Sequence, residues 1–156
     1  MKIISHRGNL EGPEPDFENN PERIDFCISR GFDVEIDLWV DEKSGKILLG
    51  HDYGDTEVDI EWLSDRSNKL WIHCKNYSAL FLLSNNHEEF NFFWHDRDDY
   101  TLTSRGYIWA YPGKDIGPNC IIVMPEWDNE IADGFIHPSC LGICTDYPEK
   151  ISEMKD

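Results

Sequence analysis

The sequence predicts an α/β fold with a parallel sheet built from βα units. Two observations predict it. Apolar strands and helical stripes alternate in the first part of the chain, and short strands joined by loops follow. The length sets the scale: 156 residues suffice for one substantial core and not comfortably for two, so residues 1–156 are read as a single domain. A complete eight-fold βα barrel usually takes about 250 residues. Any barrel here must have replaced several outer helices by turns, and an open βα sheet is the alternative.

Residues 2–6 read as a short buried strand that ends at a polar turn, followed by a Pro- and Gly-rich loop from Asn9 to Asp16. Asn20 can cap the next element, Pro21 suits its first position, Ile24, Cys27 and Ile28 form one apolar stripe, and Gly31 suits the stop. These signals predict a helix. Phe32 to Val40 alternates as a strand, the Asp41 to Gly45 turn follows, and Lys46 to Gly50 is extended and leads to His51. Further strands are predicted at Leu70–Lys75, Phe92–His95, Tyr107–Tyr111, Cys120–Met124 and Leu141–Thr145. A helix is predicted over Ser78–Ser84, and Pro148 opens a last one through Met154.

With 31 acidic and 14 basic residues the formal charge is −17, which repels nucleic-acid backbones and anionic membrane surfaces. No nucleic-acid partner is expected. A small phosphorylated ligand is compatible with this charge, because a divalent cation and a few fixed basic groups can reverse the potential locally. The five cysteines are odd in number, Cys140 and Cys144 lack CxxC spacing, and no signal peptide opens the chain. Buried thiols and a reducing cytoplasm fit best. No apolar run approaches the roughly 20 residues of a membrane span. Barrel faces that have lost their helices would be apolar, and a second subunit of a homo-oligomer could cover them.

Glu35 and Asp37 are two apart on a strand and therefore project from one face of it, while Val34, Ile36 and Leu38 take the other. Two carboxylates inside an apolar strand cost several kcal/mol unless paired or bound to a cation. Hard oxygen ligands favour Mg²⁺, Ca²⁺ or Mn²⁺. His6 ends the first strand beside Arg7, whose guanidinium suits phosphate, and Gly8 permits a tight turn. Taken singly, His-Arg-Gly is a common surface turn, Glu-x-Asp can be the polar face of an edge strand, and His51-Asp52 is weak because His95-Asp96 repeats it.

Together they are more specific. The order His6-Arg7-Gly8, Glu18-Asn19, Gly31-Phe32-Asp33-Val34-Glu35-Ile36-Asp37 and Gly50-His51-Asp52 resembles the glycerophosphodiester phosphodiesterase family, of the phospholipase-C-like phosphodiesterase superfamily. The resemblance is tight over residues 3–52 and returns at Leu70-Trp71-Ile72-His73-Cys74-Lys75 and at Gly142-Ile143-Cys144-Thr145-Asp146-Tyr147-Pro148. It implies a reduced TIM-type (β/α) barrel lacking several outer helices, and a metal-dependent phosphodiesterase acting on a small glycerophosphodiester-like substrate. It further implies that His6 and His51 are the acid and base, that Glu35 and Asp37 bind the metal, and that Arg7 and Lys75 hold the phosphate. One divalent cation is expected, Mg²⁺ or Ca²⁺ with Mn²⁺ also admissible. Attack by a neighbouring substrate hydroxyl, giving a cyclic phosphate, is the family's common route.

One position departs from the family pattern, whose third strand reads Glu-x-Lys where this chain has His73-Cys74-Lys75. An imidazole there would soften the site towards Mn²⁺ or a zinc-like ion, or else remain a hydrogen-bonded interior residue. Trp127, with Glu126 and Asp128, could wall the substrate pocket, whereas Trp39, Trp62, Trp71 and Trp109 read as packing. His87 and His137 fall in loops and attract no role. Two other functions are compatible with these residues: a non-catalytic phosphate- or metal-binding remnant of the family, and a phosphomonoesterase with a multi-metal site drawing on His6, His51, His73 and His95.

Overall fold

The inward edge of the fold is set by alternation along its strands. The computed structural model describes residues 1–128 and 139–154. In chain order the elements are β1 (Lys2–His6), α1 (Pro21–Ser29), β2 (Asp33–Val40), β3 (Ile47–Leu49), β4 (Thr56–Val58), α2 (Ile60–Asp65) and β5 (Leu70–Cys74). They continue with α3 (Tyr77–Ser84), β6 (Phe92–Phe93), β7 (Tyr100–Leu102), β8 (Ile108–Ala110), β9 (Cys120–Val123), a 3-10 turn (Pro125–Asp128), β10 (Gly142–Thr145) and α4 (Pro148–Glu153).

The helix signals act as the sequence indicates. The Asn20 side chain accepts from the Glu22 and Arg23 amides and Pro21 opens α1, whose Ile24 and Cys27 are fully buried. Asn76 caps α3 by accepting from the Ala79 amide, and its amide group also donates to the Val40 carbonyl, which ties α3 to the end of β2. Three elements had no counterpart in the sequence reading. They are the edge strands β4 and β7 and the short helix α2, which Asp59 caps through the Trp62 amide. The Phe92–His95 strand is shorter than expected, because only Phe92 and Phe93 pair with β5, leaving His95 beyond the ladder.

Seven strands run parallel in the order β8-β9-β10-β1-β2-β5-β6, and β3, β4 and β7 add antiparallel pairings. This is a mixed α/β fold with one large sheet and few helices. Among the described residues no ladder joins β6 to β8. The two ends of the parallel array nevertheless meet through side chains: Trp71 of β5 lies 5.8 Å from Trp109 of β8 between ring centroids, and Phe93 of β6 lies 4.7 Å from Trp109. The Ser104 amide also donates to the Phe92 carbonyl at 2.8 Å. The sheet is thus strongly curled.

Each face has its own core. Val34, Ile36, Leu38, Ile72 and Cys74 pack outward against Ile24, Cys27, Leu63, Ala79 and Leu83 of the helices. Ile4, Trp71, Phe93, Trp109, Ile121, Val123 and Cys144 fill the concave face. Cys27, Cys74, Cys120 and Cys144 are buried, and burial pushes the Cys74 thiol up to about 12. Cys140 is only half-buried, an exception to the expectation of buried thiols. Among the described residues no helix is long and apolar enough to cross a membrane.

At the amino-terminal end of the sheet Asp33 is buried and ion-paired with Lys2 at 3.1 Å and Lys69 at 3.0 Å, and it accepts from the Trp71 indole at 3.2 Å. Gly142 faces this end, and a Cβ on it would lie 2.9 Å from both Cβ and the carbonyl oxygen of Lys2. Gly142→Val is accordingly expected to lower the unfolding free energy by roughly 1–3 kcal/mol. A urea titration measures this directly, and an unchanged midpoint would contradict tight packing at that end.

Candidate active site

Every candidate residue named from the sequence that the structure describes lies at the carboxyl ends of the strands, where sites form on parallel sheets. His6 ends β1, Glu35 and Asp37 lie on β2, His73 on β5, and Lys75 follows β5. His51 follows β3, His95 follows β6, Trp127 follows β9 and Asp146 follows β10. A cleft of about 600 Å³ is lined by His6, Arg7, Glu35, His51, His73 and Lys75, together with Trp127 and Asp146. His137 lies outside the described residues.

Asp37 is fully buried, and its charge is met from several sides. The Arg7 Nε lies 2.9 Å from Oδ2, the Asn19 amide donates to the same oxygen at 3.0 Å, and the Asp37 backbone amide donates back to Asn19 Oδ1 at 2.9 Å. His73 Nδ1 and Lys75 Nζ approach Oδ1 at 3.3 and 3.5 Å. Burial alone would raise the pKa of Asp37, but His51, His73 and Arg7 outweigh it and hold the carboxyl well below its ordinary range. Glu35 goes the other way, raised by burial and by the neighbouring Asp37 charge.

Glu35 Oε2 and Asp37 Oδ1 are buried and accept no hydrogen bond; Asp37 Oδ1 has only the longer approaches of His73 and Lys75, and Glu35 Oε2 faces His6 Nε2 at 3.9 Å. Glu35, Asp37 and His73 each bring a ligand atom within 4.8 Å of the others, and among the described residues they form the one such group of three. The His73 ring supports that arrangement. Its Nε2 donates to the His95 carbonyl at 3.0 Å, which leaves Nδ1 as the nitrogen turned to the carboxylates. Two carboxylate oxygens that accept no hydrogen bond, with an imidazole nitrogen turned to them, fit a divalent cation.

His6 and His51 are held differently. His6 Nδ1 lies 2.7 Å from Asp146 Oδ1, and Nε2 faces Glu35 Oε2 at 3.9 Å. Burial lowers the His6 pKa, yet the Asp146 hydrogen bond and the Glu35 charge overcome it, and the net direction is upward. His51 is half-exposed and its Nδ1 lies 2.7 Å from Arg7 NH2. Since a guanidinium can only donate, that nitrogen must accept.

Sequence reasoning gave no role to Asp146, Asn9 or Asn19, and gave Glu126 only a place in the pocket wall. Asp146 orients His6, Asn9 donates to Asp146 Oδ1 at 2.7 Å, and Asn19 brackets Asp37. The Glu126 carboxylate accepts from the Asp146 amide at 2.8 Å and from the Thr145 hydroxyl at 3.0 Å. Asn19 and Asp146 do stand inside quoted motifs, and that was the available signal. Arg7, Asn19 and Met124 also adopt positive φ, at 55, 57 and 45 degrees, so the backbone is strained at three points on the rim.

The fold and the site define an α/β protein with a candidate metal cleft at the carboxyl rim of a parallel sheet. No protein-family model and no curated protein matches the chain. Among solved structures it is similar to the crystal structure of a "putative glycerophosphodiester phosphodiesterase from Galdieria sulphuraria", at 14% identity and a TM-score of 0.46 over 99% of this chain and 98% of that one. Likeness of that degree does not place the chain in a family.

Gly50 positions His51. Its φ is 151 degrees, and a Cβ there would lie 2.0 Å from the Tyr53 carbonyl oxygen. Its own carbonyl accepts from the Trp39 indole at 2.7 Å. Gly50→Ala is expected to displace this loop. In a histidine- and tryptophan-resolved NMR spectrum the His51 ring and the Trp39 indole N–H should shift while the His6 ring stays in place; an unmoved His51 would refute that dependence.

Proposed function

We propose that the chain is a divalent-metal-dependent phosphodiesterase, a reduced TIM-type barrel of the glycerophosphodiester phosphodiesterase family, acting on a small glycerophosphodiester-like substrate. The observation that carries this reading is the convergence of a buried Glu35–Asp37–His73 cluster, two of whose oxygens accept no hydrogen bond, with two differently held histidines at one cleft. The family resemblance of the motifs supports it. Single-domain organisation belongs to the same proposal.

Glu35, Asp37 and His73 would hold the cation, which when bound supplies Lewis-acid stabilisation of charge on the phosphoryl group. His6 is the base: with its Nδ1 proton donated to Asp146, Nε2 offers a lone pair to the attacking hydroxyl. The imidazolium so formed lies between Asp146 and Glu35, which favour it electrostatically. His51 is the acid: as the imidazolium it gives one ring proton to the departing alkoxide and is left as the neutral ring, the form whose Nδ1 accepts from Arg7. Arg7 and Lys75, which lean on Asp37, hold the non-bridging phosphate oxygens. If a substrate hydroxyl attacks first, hydrolysis of the cyclic phosphate runs with the two proton roles exchanged.

The opposite wall of the cleft is carbon-rich, with Trp109, Tyr111, Val123, Met124 and Trp127. It suits the alcohol portion of the ester, while the charged wall takes the phosphate. The multi-metal phosphomonoesterase reading is disfavoured, because among the described residues the group able to hold a metal is Glu35, Asp37 and His73, and His6, His51 and His95 stand outside it.

With a divalent cation present, the protein is expected to hydrolyse a chromogenic phosphodiester or glycerophosphodiesters, and a chelator should stop it. His6→Ala and His51→Ala should each reduce kcat by roughly 10²–10⁴-fold, as loss of an acid–base group does. Turnover surviving in both variants overturns the mechanism. Metal binding without turnover in the unmodified chain would favour a binding module instead.

Asp146 has a separate expectation. Asp146→Asn should lower kcat while leaving KM nearly unchanged, and it should lower the NMR-measured pKa of His6, because the partner that stabilises its imidazolium is neutralised. An unmoved His6 titration would remove Asp146 from the mechanism.

A further inference from the structure

We infer that His73 makes this centre selective for a borderline transition-metal dication of the Mn²⁺ to Zn²⁺ series over Mg²⁺ and Ca²⁺. The inference rests on the proposed reading only in taking Glu35, Asp37 and His73 as a metal centre.

The first support is the fixed state of the imidazole. His73 stacks on the buried Phe93 ring, with centroids 5.3 Å apart and planes 11° from parallel. Its Nε2 donates to the His95 carbonyl at 3.0 Å. The ring can neither flip nor turn away without losing that bond, so Nδ1 is presented to Asp37 Oδ1 at 3.3 Å and to Glu35 Oε1 at 3.9 Å. In the neutral ring with its proton on Nε2, the Nδ1 lone pair faces two carboxylates. Three donor atoms so converged are the arrangement that a cation among them would bind.

The second support is the charge balance. Glu35 and Asp37 bring two negative charges, and Arg7 and Lys75 both reach Asp37, at 2.9 and 3.5 Å, Arg7 being shared with Glu18 at 3.2 Å. Mg²⁺ and Ca²⁺ depend on the number and charge of oxygen ligands, and Mg²⁺ gives up water reluctantly. An Asp37 carboxylate already engaged by two cationic side chains holds such ions poorly. An imidazole nitrogen bonds more strongly along the Irving–Williams order, and its contribution does not depend on net charge. With a glutamate at position 73 the site would gain a third negative charge and an all-oxygen donor set. The histidine removes both features that would favour a hard ion.

Isothermal titration calorimetry and equilibrium dialysis with metal analysis test this on the full chain, using Zn²⁺, Co²⁺, Mn²⁺, Mg²⁺ and Ca²⁺ separately. The unmodified chain is expected to bind one equivalent of Zn²⁺ or Co²⁺ at least about tenfold more tightly than Mg²⁺ or Ca²⁺, with Mn²⁺ between. Bound Co²⁺ should give ligand-field bands without the thiolate charge-transfer band that a cysteine ligand would add. His73→Glu should reverse the preference, losing roughly 10–100-fold in Zn²⁺ affinity while gaining Mg²⁺ and Ca²⁺ binding. His73→Gln, which keeps a donor for the His95 carbonyl, should lose the first without gaining the second. Equal or tighter Mg²⁺ or Ca²⁺ binding by the unmodified chain overturns the inference, as does Zn²⁺ binding unchanged in His73→Gln. The two readings fail separately: selective binding without phosphodiester turnover removes the enzyme and leaves the metal preference, and turnover with no preference does the reverse.

Discussion

The inward face of β2 is the constraint on which the rest depends. Asp33, Glu35 and Asp37 alternate along it, and all three are buried on the concave side of a curled sheet. Each ionised carboxylate withdrawn from water costs several kcal/mol unless its charge is met in place. The three are met in three ways. Asp33 is closed off by Lys2, Lys69 and the Trp71 indole, an arrangement that leaves it nothing further to bind. Asp37 is matched by Arg7, Asn19 and Lys75 around its rim. Glu35, between them, has one oxygen that accepts nothing. One strand therefore carries the structural end of the interior, the functional end and the transition between them, with Ile4, Trp71, Ile121 and Cys144 as the apolar layer beside it.

The rim meets this demand with strained backbone. Arg7 and Asn19, the two residues that touch Asp37 Oδ2 directly, both adopt positive φ. Each such non-glycine residue costs of order 1 kcal/mol or more, and the cost persists only where surrounding contacts determine the conformation. Here they do. The Arg7 amide donates to the Glu35 carbonyl, the Asn19 amide to the Arg7 carbonyl, and the Asn19 side chain closes a two-point bond with Asp37. The loop between β1 and α1 is thereby fastened to β2, and the guanidinium is aimed before any ligand arrives.

Much of this was legible in the sequence. Period-two alternation placed Glu35 and Asp37 on one face, the Asn20-Pro21 signal started α1, and the resemblance of the motifs to a known family implied that His6, Arg7, His51 and Lys75 form one group. What escaped was non-local or short. The Asp146 partner of His6 is 140 residues away in sequence, and no local pattern encodes that contact. The curl of the sheet depends on Trp71, Phe93 and Trp109, which read individually as ordinary packing aromatics. The strands β4 and β7 are three residues each, below the length at which alternation can be read. The tautomer of His73 is set by a backbone carbonyl at His95, outside the strand that was expected to contain it.

The histidine at position 73 then has a consequence for the substrate as well as for the ion. A phosphodiester is an anion, and under the proposed function it would have to be received by a chain with a formal charge of −17. Long-range repulsion opposes binding, so local positive potential has to be supplied at the cleft. A glutamate at position 73 would add a negative charge beside Glu35 and Asp37 and would draw Lys75 more firmly into the protein's own ion pairs. With a histidine there no such charge is added: Arg7 and Lys75 meet Asp37, Arg7 also meets Glu18, and a dication among the three ligands would add two positive charges to the cluster. The same substitution that weakens the site for hard cations thus frees its basic residues for phosphate, and the departure from the family pattern is compatible with the proposed chemistry for that reason.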